Sequence, residues 1–97
     1  MAAERSFQWD DANRGHIGRH RVTPQEFEQA MANDPIEVAE YTVAGEPRVQ
    51  VVGMTDAGRL LEMVYTIRRG RIRAVTAFPM KRNKRRFYYG SFPKKSD

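Results

Sequence analysis

Four arginines fall on segments that the sequence predicts to be β-strands: Arg48, Arg59, Arg71 and Arg73. A guanidinium group keeps its charge at any working pH, and its planar set of donors matches a phosphate group. Arg73 is the most informative of the four, because it falls in mid-strand rather than beside a turn. It points either to an open sheet face or to a partner carboxylate, for which Glu62 on the neighbouring strand is the candidate. The sequence leaves both interpretations open.

Two histidines, His16 and His20, are four residues apart on a predicted helix and therefore share one of its faces. As metal ligands they lack the Glu of the HExxH pattern and an evident third ligand, so we expect no metal and no cofactor. Imidazole is also the natural proton-transfer group near neutral pH. We expect His16 to be structural and bonded to a backbone carbonyl, and we take His20 as the candidate for function.

Positive charge is concentrated in the last third of the chain. Residues 1–67 carry six Arg against eleven Asp and Glu, a net charge of −5, whereas residues 68–97 carry eleven Lys and Arg against one Asp, a net charge of +10. Five of these cations lie on a predicted C-terminal helix: Lys81, Arg82, Lys84, Arg85 and Arg86. Cations placed inside predicted elements favour a surface that faces a polyanion, and a solvated face kept for solubility is the alternative.

The bulk composition bounds the class of protein. A length of 97 residues, 40% of them hydrophobic, predicts one globular domain over residues 1–97. The chain has no cysteine, which excludes a disulfide framework and thiolate chemistry. No apolar run approaches the roughly 18–20 residues that a membrane span needs. We therefore expect a soluble, cytoplasmic protein with no membrane partner.

Capping signals predict two N-terminal helices. Residues 6–10 are either a short strand or an extended lead-in, with Phe7 and Trp9 on the same side. Asp10 is the predicted N-cap of a helix over residues 11–20. Its expected buried stripe consists of Asn13, His16, Ile17 and His20. A capping-box pattern with proline at the first helical position predicts a second helix up to residue 32, on the residues Thr23, Pro24 and Glu26.

Alternating apolar residues and short turns then predict four strands, over residues 36–43, 48–54, 59–67 and 71–78. Consecutive strands joined by short turns form an antiparallel meander, and Pro79 precedes a helix over residues 80–89. The predicted fold class is α+β: two N-terminal helices, a four-stranded antiparallel sheet and a C-terminal basic helix, with the helices on one sheet face. The other face is expected to form a groove lined by Arg.

Three groups of residues carry a resemblance to a known family. They are, near the N-terminus, Phe7-Gln8-Trp9-Asp10, Asn13, His16-Ile17, Arg19-His20, Val22, Pro24 and Glu26; in the middle, Gly53-Met54-Thr55 and Gly58-Arg59-Leu60-Leu61; and later, Arg71-Ile72-Arg73, Thr76-Ala77, Arg85-Arg86 and Tyr88. In this order and spacing the chain resembles the BrnT family of toxins from bacterial type II toxin–antitoxin systems. The resemblance covers about residues 7–88.

The resemblance implies a RelE-like fold and a metal-independent endoribonuclease, in which the 2′-hydroxyl of the RNA attacks the phosphate. It also implies a cognate antitoxin, a ribbon–helix–helix DNA-binding protein that covers the toxin, and it leaves a homodimer open. The catalytic residues expected from it are His20 for proton transfer and Arg59 and Arg73 for the developing charge, with Arg48 as a third guanidinium whose convergence the sequence leaves open. The residues expected to hold the RNA backbone are Lys81, Arg82 and Arg85.

Two positions depart from the family pattern. Many relatives carry Arg after the Thr/Ser-Ala pair, where this chain has Phe78, and Gly after the second His, where this chain has Arg21. The missing Arg favours an alternative function, a catalytically weakened RNA- or protein-binding module of the same fold. A Gly permits positive φ between the helices, which Arg resists, so we expect a rebuilt connection there. A third hypothesis is a small oligomerising protein whose basic face meets an acidic partner chain.

Overall fold

The computed structural model describes residues 6–91, so the ends of the expected domain, residues 1–5 and 92–97, lie outside the described residues. The elements follow in this order: β1 (Phe7–Gln8), α1 (Asp11–Gly18), α2 (Pro24–Ala32), β2 (Ile36–Val43), β3 (Glu46–Met54), β4 (Leu60–Arg68), β5 (Arg71–Pro79) and α3 (Arg82–Gly90). The strands form one sheet in the order β1-β5-β4-β3-β2. The predicted α+β class is confirmed. Within residues 6–91, no helix has the length and apolar character needed to cross a membrane.

A fifth strand corrects the prediction of a four-stranded antiparallel sheet. β1 pairs in parallel with β5, with Gln8 opposite Arg73, so the sheet is mixed. The rings of Phe7 and Trp9 both meet Phe27 edge-on, at centroid distances of 6.3 and 5.6 Å. These contacts anchor a strand whose two residues are too few to show an alternating pattern in the sequence.

Both N-terminal helices begin where their capping residues predict. In α1 the carboxylate of Asp10 accepts a hydrogen bond from the amide of Asn13 at 3.0 Å. In α2 the hydroxyl of Thr23 accepts one from the amide of Glu26 at 3.1 Å, and the Glu26 carboxylate accepts the Thr23 amide at 3.1 Å. Each reciprocal pair satisfies amides that a helix start otherwise leaves without partners.

Helix α1 is shorter than predicted and buries less of its surface. It ends at Gly18 and buries Asn13 and Ile17. The predicted stripe is wrong for His16 and His20, which are both exposed. Because α1 lies along β5, one apolar side chain is enough to join it to the core, and His16 and His20 remain available to solvent.

Two groups of apolar side chains pack on opposite faces of the sheet. The main core, on the side of α1 and α2, consists of Ile17, Val22, Phe27, Ala30, Met31, Val51, Leu61, Met63, Ile72, Ala74 and Ala77. The smaller group lies under α3 and consists of Val52, Met80 and Tyr88, with Ile36, Val38, Met54 and Leu60 against it. Since the neighbours Val51 and Val52 point to opposite faces of β3, α3 lies across the sheet from α1 and α2. The prediction that the helices share one face is therefore wrong.

A buried carboxylate fixes where α3 begins. Glu62 on β4 is 3% exposed. Its Oε1 accepts a hydrogen bond from Gln50 at 3.2 Å, and its Oε2 accepts one from the amide of Lys81 at 2.9 Å. Met80, the residue after β5, is still bonded to the sheet, because its amide donates to the carbonyl of Leu60 in β4. The helix therefore begins at Arg82 rather than at Met80 as predicted.

The loop between α1 and α2 keeps a positive φ although no Gly is present. Arg21 has φ of 59°, in the left-handed region that favours Gly. The amide of Val22 donates to the carbonyl of Ile17, and the carbonyl of Arg21 accepts a hydrogen bond from Arg59 at 2.7 Å. The expectation of a rebuilt connection is therefore wrong: hydrogen bonds on both sides hold Arg21 in a conformation that costs it free energy.

We expect Arg21→Gly to stabilise the protein by about 0.5–1 kcal/mol, because relief of left-handed strain outweighs the greater freedom of Gly in the unfolded chain. Chemical denaturation measures this difference in the free energy of unfolding. Arg19→Gly is the matched control, since Arg19 is exposed and has φ of −60°. Gly at that position should destabilise by about 0.5–1 kcal/mol. A loss of stability in both variants would contradict strain at Arg21.

Candidate functional site

An open groove lies between α1 and the part of the sheet face that α3 leaves uncovered. Its volume is about 260 Å³. The residues that line it are Ala12, Asn13 and His16 of α1 and Glu46, Arg48, Thr66, Arg68, Arg73, Ala74 and Val75 of the strands. Three guanidinium groups, one carboxylate and one imidazole thus border the same space.

The floor of this groove is a cross-strand row of polar side chains, which we call the arginine row: Gln8, Arg73, Thr66 and Arg48. Gln8 and Thr66 both lie opposite Arg73 in the strand register. Val49, the residue after Arg48, pairs with Tyr65, the residue before Thr66, so Arg48 lies beside Thr66 on the neighbouring strand. Because Val49 packs against the main core and strand neighbours alternate, Arg48 points to the other face. The register therefore brings Arg48 and Arg73 to one groove.

Asp10 holds the guanidinium group of Arg73. Nη1 of Arg73 donates to Oδ2 of Asp10 at 2.7 Å, and Nη2 donates to Oδ1 at 3.2 Å. The Arg73 side chain is only 14% exposed, so this contact fixes its orientation. Hydrogen bonds from Arg73 and from the amide of Asn13 lower the pKa of Asp10 to about 2. The alternative pairing of Arg73 with Glu62 is wrong, since Asp10 is the carboxylate that it meets.

A second carboxylate, that of Glu46, joins the other two guanidinium groups. Its Oε2 accepts a hydrogen bond from Nη2 of Arg68 at 2.8 Å, and its Oε1 accepts one from Nε of Arg48 at 3.2 Å. These hydrogen bonds, the one from Arg68 foremost, lower the pKa of Glu46. Arg48 is therefore oriented toward the groove from one side while Arg73 is oriented from the other.

One of the two histidines lies in the wall of the groove, and the ring of the other lies next to it. His16 is exposed and lines it, so the prediction of a buried structural histidine is wrong. The ring of His20 lies 6.4 Å from that of His16 and 5.8 Å from that of Phe78. Nζ of Lys81 lies 5.6 Å from the centroid of the same Phe78 ring. Among residues 6–91, no cluster of three or more His, Cys, Asp or Glu is placed to hold a metal ion.

The structure does not bring Arg59 to Arg73. Nη1 of Arg59 donates to both carboxylate oxygens of Glu26, at 3.0 and 3.1 Å, and to the carbonyl of Arg21. Arg59 precedes the first residue of β4, whereas Arg73 lies opposite Thr66, seven residues further along. At about 3.3 Å per residue, the two lie roughly 20 Å apart along the sheet.

The cations expected to hold an RNA backbone lie at the start of α3, on the same sheet face as the groove. The amide of Lys81 is bound by Glu62, four residues along β4 from Thr66, which is about 13 Å. Nε of Arg85 donates to the carbonyl of the residue before Lys81, at 3.2 Å. Arg82, the first residue of α3, is exposed. These side chains extend the positive surface beyond the groove.

Sequence reasoning missed three titratable or charged residues of the groove, His16, Glu46 and Arg68. For Arg68 a signal existed, because extending β4 by one residue puts it on the same face as Glu62 and Thr66 by the two-residue period. For His16 the helical spacing predicted burial, although the side chain is exposed. The spacing of residues along a helix does not show how narrow the contact between α1 and β5 is.

Two comparisons with known proteins bear on this site. The model of a family described as ribonuclease toxin, BrnT, of type II toxin–antitoxin system matches residues 9–84. This range includes α1, all strands from β2 to β5 and the start of α3. A comparison with curated proteins gives no match.

We expect Asp10→Asn to reduce the sensitivity of the fold to acid. The folded-state pKa of Asp10 is lowered from 3.8 to about 2, so its charged form adds stability at neutral pH, and this contribution is lost as the pH falls from about 4 toward 2. The free energies of unfolding of wild type and variant should therefore converge over this range, with wild type the more stable at neutral pH.

The same measurement in an Arg73→Gln background isolates the ion pair. Arg73 is the largest cause of the lowered pKa of Asp10, so the pH-dependent part of the Asp10→Asn effect should shrink in that background. A difference between the two proteins that stays constant from neutral pH to pH 2 would contradict the contact.

Proposed function

This chain belongs to the BrnT family of ribonuclease toxins of type II toxin–antitoxin systems, and we propose that it is an endoribonuclease that cleaves RNA without a metal ion. In the proposed reaction the 2′-hydroxyl of the RNA attacks the adjacent phosphorus while a base takes its proton. The bond from phosphorus to the 5′-oxygen then breaks, and an acid gives that oxygen a proton. The products are a 2′,3′-cyclic phosphate and a 5′-hydroxyl.

The observation that carries this proposal is the convergence of Arg48 and Arg73 with a histidine in one groove. The phosphorane formed by 2′-hydroxyl attack carries more negative charge than the starting phosphodiester. Guanidinium groups held in place before the reaction stabilise that added charge without reorganising. Arg73 is held by Asp10 and Arg48 by Glu46. In this proposal the two arginines stabilise the charge on the phosphorane oxygens.

Proton transfer is assigned to His16 of α1 and to His20, which lies two residues beyond the end of that helix. Their ring centroids are 6.4 Å apart, a separation that lets one imidazole approach the attacking oxygen and the other the leaving oxygen of a single phosphodiester. His16 lines the groove, and His20 lies four residues further along the chain, in the turn that follows α1. We assign the base and acid roles to this pair jointly, with His20 kept from the sequence prediction and His16 added from the structure.

The remaining contacts extend along the same sheet face. Lys81, Arg82 and Arg85 are proposed to bind phosphates on one side of the cleaved bond, since the start of α3 is bound at Glu62, about 13 Å along β4 from the row. Arg59 is not part of this site, because its guanidinium group is bonded to Glu26 at the far end of β4.

The family implies an antitoxin partner as well as RNA. We propose that the antitoxin is a ribbon–helix–helix DNA-binding protein that covers the positive face, that the protein acts in the cytoplasm, and that a homodimer is a further assembly to test. The concentration of positive charge in residues 68–97 supports an acidic covering segment, since charge complementarity directs such contacts.

A second candidate function is an RNA-binding module that has lost catalysis. The specific observation in its favour is Phe78, which stands where many relatives carry Arg and whose uncharged ring lies between His20 and Lys81. The two candidates share the groove and differ in whether the 2′-hydroxyl reacts there. A measurement of cleavage products distinguishes the two candidates, whereas a measurement of RNA affinity does not.

We expect wild type to cleave single-stranded RNA in EDTA, to release 2′,3′-cyclic phosphate ends, and to leave 2′-O-methyl RNA intact. Arg73→Ala should slow cleavage by about 100-fold or more, because a preorganised donor is lost. Arg59→Ala is the matched control, since it also breaks an ion pair with a carboxylate but lies outside the groove. Its cleavage rate should stay within a fewfold of wild type.

The outcomes of this experiment separate the candidate functions. Salt-sensitive RNA binding without cleavage would assign the protein to the binding module. Cleavage that stops with EDTA and returns with a divalent cation would overturn metal independence. Loss of cleavage in Arg59→Ala as well as Arg73→Ala, with both proteins folded, would restore the arginine pair expected from the sequence.

His16→Ala and His20→Ala should each slow cleavage by about 10²–10⁴-fold while leaving the affinity for 2′-O-methyl RNA nearly unchanged. Both residues are exposed, so neither substitution should unfold the protein. Arg14→Ala, an exposed change on the same helix that does not line the groove, should leave the cleavage rate near that of wild type. If only His20→Ala slows the reaction, the role assigned to His16 is wrong.

A further inference from the structure

The arginine row continues past the groove to the outer strand β2. Tyr41 lies opposite Arg48 in the antiparallel register, and directly opposed residues place their side chains on the same face, about 5 Å apart at Cβ. With Tyr41 added, the row crosses all five strands of the sheet, which is roughly 19 Å at the usual strand spacing. Its outer end is an aromatic ring beside a guanidinium group.

The packing of the described core does not account for this ring. Tyr41 is 43% exposed and belongs to neither core cluster of the described residues. Burial would be the ordinary reason for an aromatic side chain on a sheet face. An exposed aromatic ring in line with two arginines instead offers a flat apolar surface beside a phosphate site.

Glu40, the acidic residue next to Tyr41 on β2, does not lie on the face of the sheet that carries the arginine row and so does not repel a polyanion there. Glu40 lies opposite Val49, whose side chain packs against the main core on the other side of the sheet. The acidic side chain of Glu40 therefore points away from the arginine row, while Tyr41 points along it. A negatively charged ligand can cross the edge of the sheet over Tyr41 without meeting that carboxylate.

We propose that Tyr41 is a stacking subsite for one unpaired base of single-stranded RNA, next to the phosphate held at Arg48. The inference rests on the proposed function, since it needs RNA in the groove. A phosphate bound by Arg48 leaves the adjoining nucleotide within reach of the tyrosine ring. Only an unpaired base presents a free face to that ring, and proteins that bind single strands combine such rings with a positive groove.

The test uses the full chain and short 2′-O-methyl RNA that contains 2-aminopurine, a base whose fluorescence falls on stacking. Tyr41→Leu should bind about five- to 100-fold more weakly than wild type, as expected for one lost base stack, and should quench the probe less. Tyr41→Phe should behave as wild type. Phe87→Leu is the matched control, because Phe87 is an aromatic residue of similar exposure, 41%, that lies on α3 and not in the arginine row.

Each outcome decides between the function and this inference. If wild type neither binds nor cleaves RNA, the proposed function fails and the subsite fails with it. If wild type binds but Tyr41→Leu binds equally well with equal quenching, only the subsite is overturned. The same holds if Tyr41→Leu leaves RNA binding unchanged and converts a dimer to a monomer in sedimentation, since the ring then belongs to a contact between two copies.

Discussion

The geometry of the groove depends on the carboxylate of Asp10. It caps α1 by accepting the amide of Asn13, and it holds the guanidinium group of Arg73 on β5. The side-chain amide of Asn13 in turn donates to the carbonyl of Gln8 at 2.9 Å. One cluster of short polar contacts therefore joins the start of α1, the parallel strand β1 and the centre of β5. Because Asp10 is half-exposed, solvent screens its ion pair with Arg73, and the main consequence of the pair is the position of α1, and hence of His16, relative to the arginine row.

The pairing of each groove arginine with a carboxylate is compatible with catalysis when the charges of the reaction are considered. A phosphodiester carries one negative charge and must compete with Asp10 and Glu46 for the guanidinium groups, so ground-state binding is weakened. The phosphorane carries more charge and competes better. An interaction that is stronger in the transition state than in the ground state is the kind that accelerates a reaction. The carboxylates also keep the arginines in place, so little reorganisation is needed when charge develops.

Local sequence signals predicted the elements well and their placement poorly. The caps at Asp10 and Thr23 and the turns of the meander could be read directly, because each depends on residues within a few positions. The two-residue period gives the face on which a side chain lies, but not its place along the strand. The sequence therefore allowed Arg59 and Arg73, both on predicted strands, to act together. In the structure Arg59 lies just before β4, whereas Arg73 lies on β5 opposite the other end of β4. The face of the sheet on which α3 packs depends on contacts with Glu62 and Val52, which are distant in sequence from the helix.

A β-bulge is a second feature that the sequence did not predict, and it decides on which face of the sheet Phe78 lies. The register of β4 and β5 shifts between Val64 and Tyr65, so that Val75 has no partner. Past this point every residue of β5 changes face, since a one-residue slip reverses the alternation. Without the bulge, Phe78 would point into the main core. With it, Phe78 lies opposite Glu62 on the face that carries the arginine row.

This placement bears on whether an uncharged residue at position 78 abolishes catalysis. Phe78 lies opposite Glu62 and Arg73 opposite Thr66, about 13 Å apart along the strand, so the missing arginine leaves the groove itself intact. The ammonium group of Lys81 lies close to the Phe78 ring, and the ring of His20 meets the same side chain. Arg48 and Arg73, to which we assign the charge of the phosphorane, line the groove and, within residues 6–91, have no contact with position 78 among their hydrogen bonds. The substitution at position 78 therefore leaves the proposed arginine pair in place, and what it changes is the surface that the His20 ring meets.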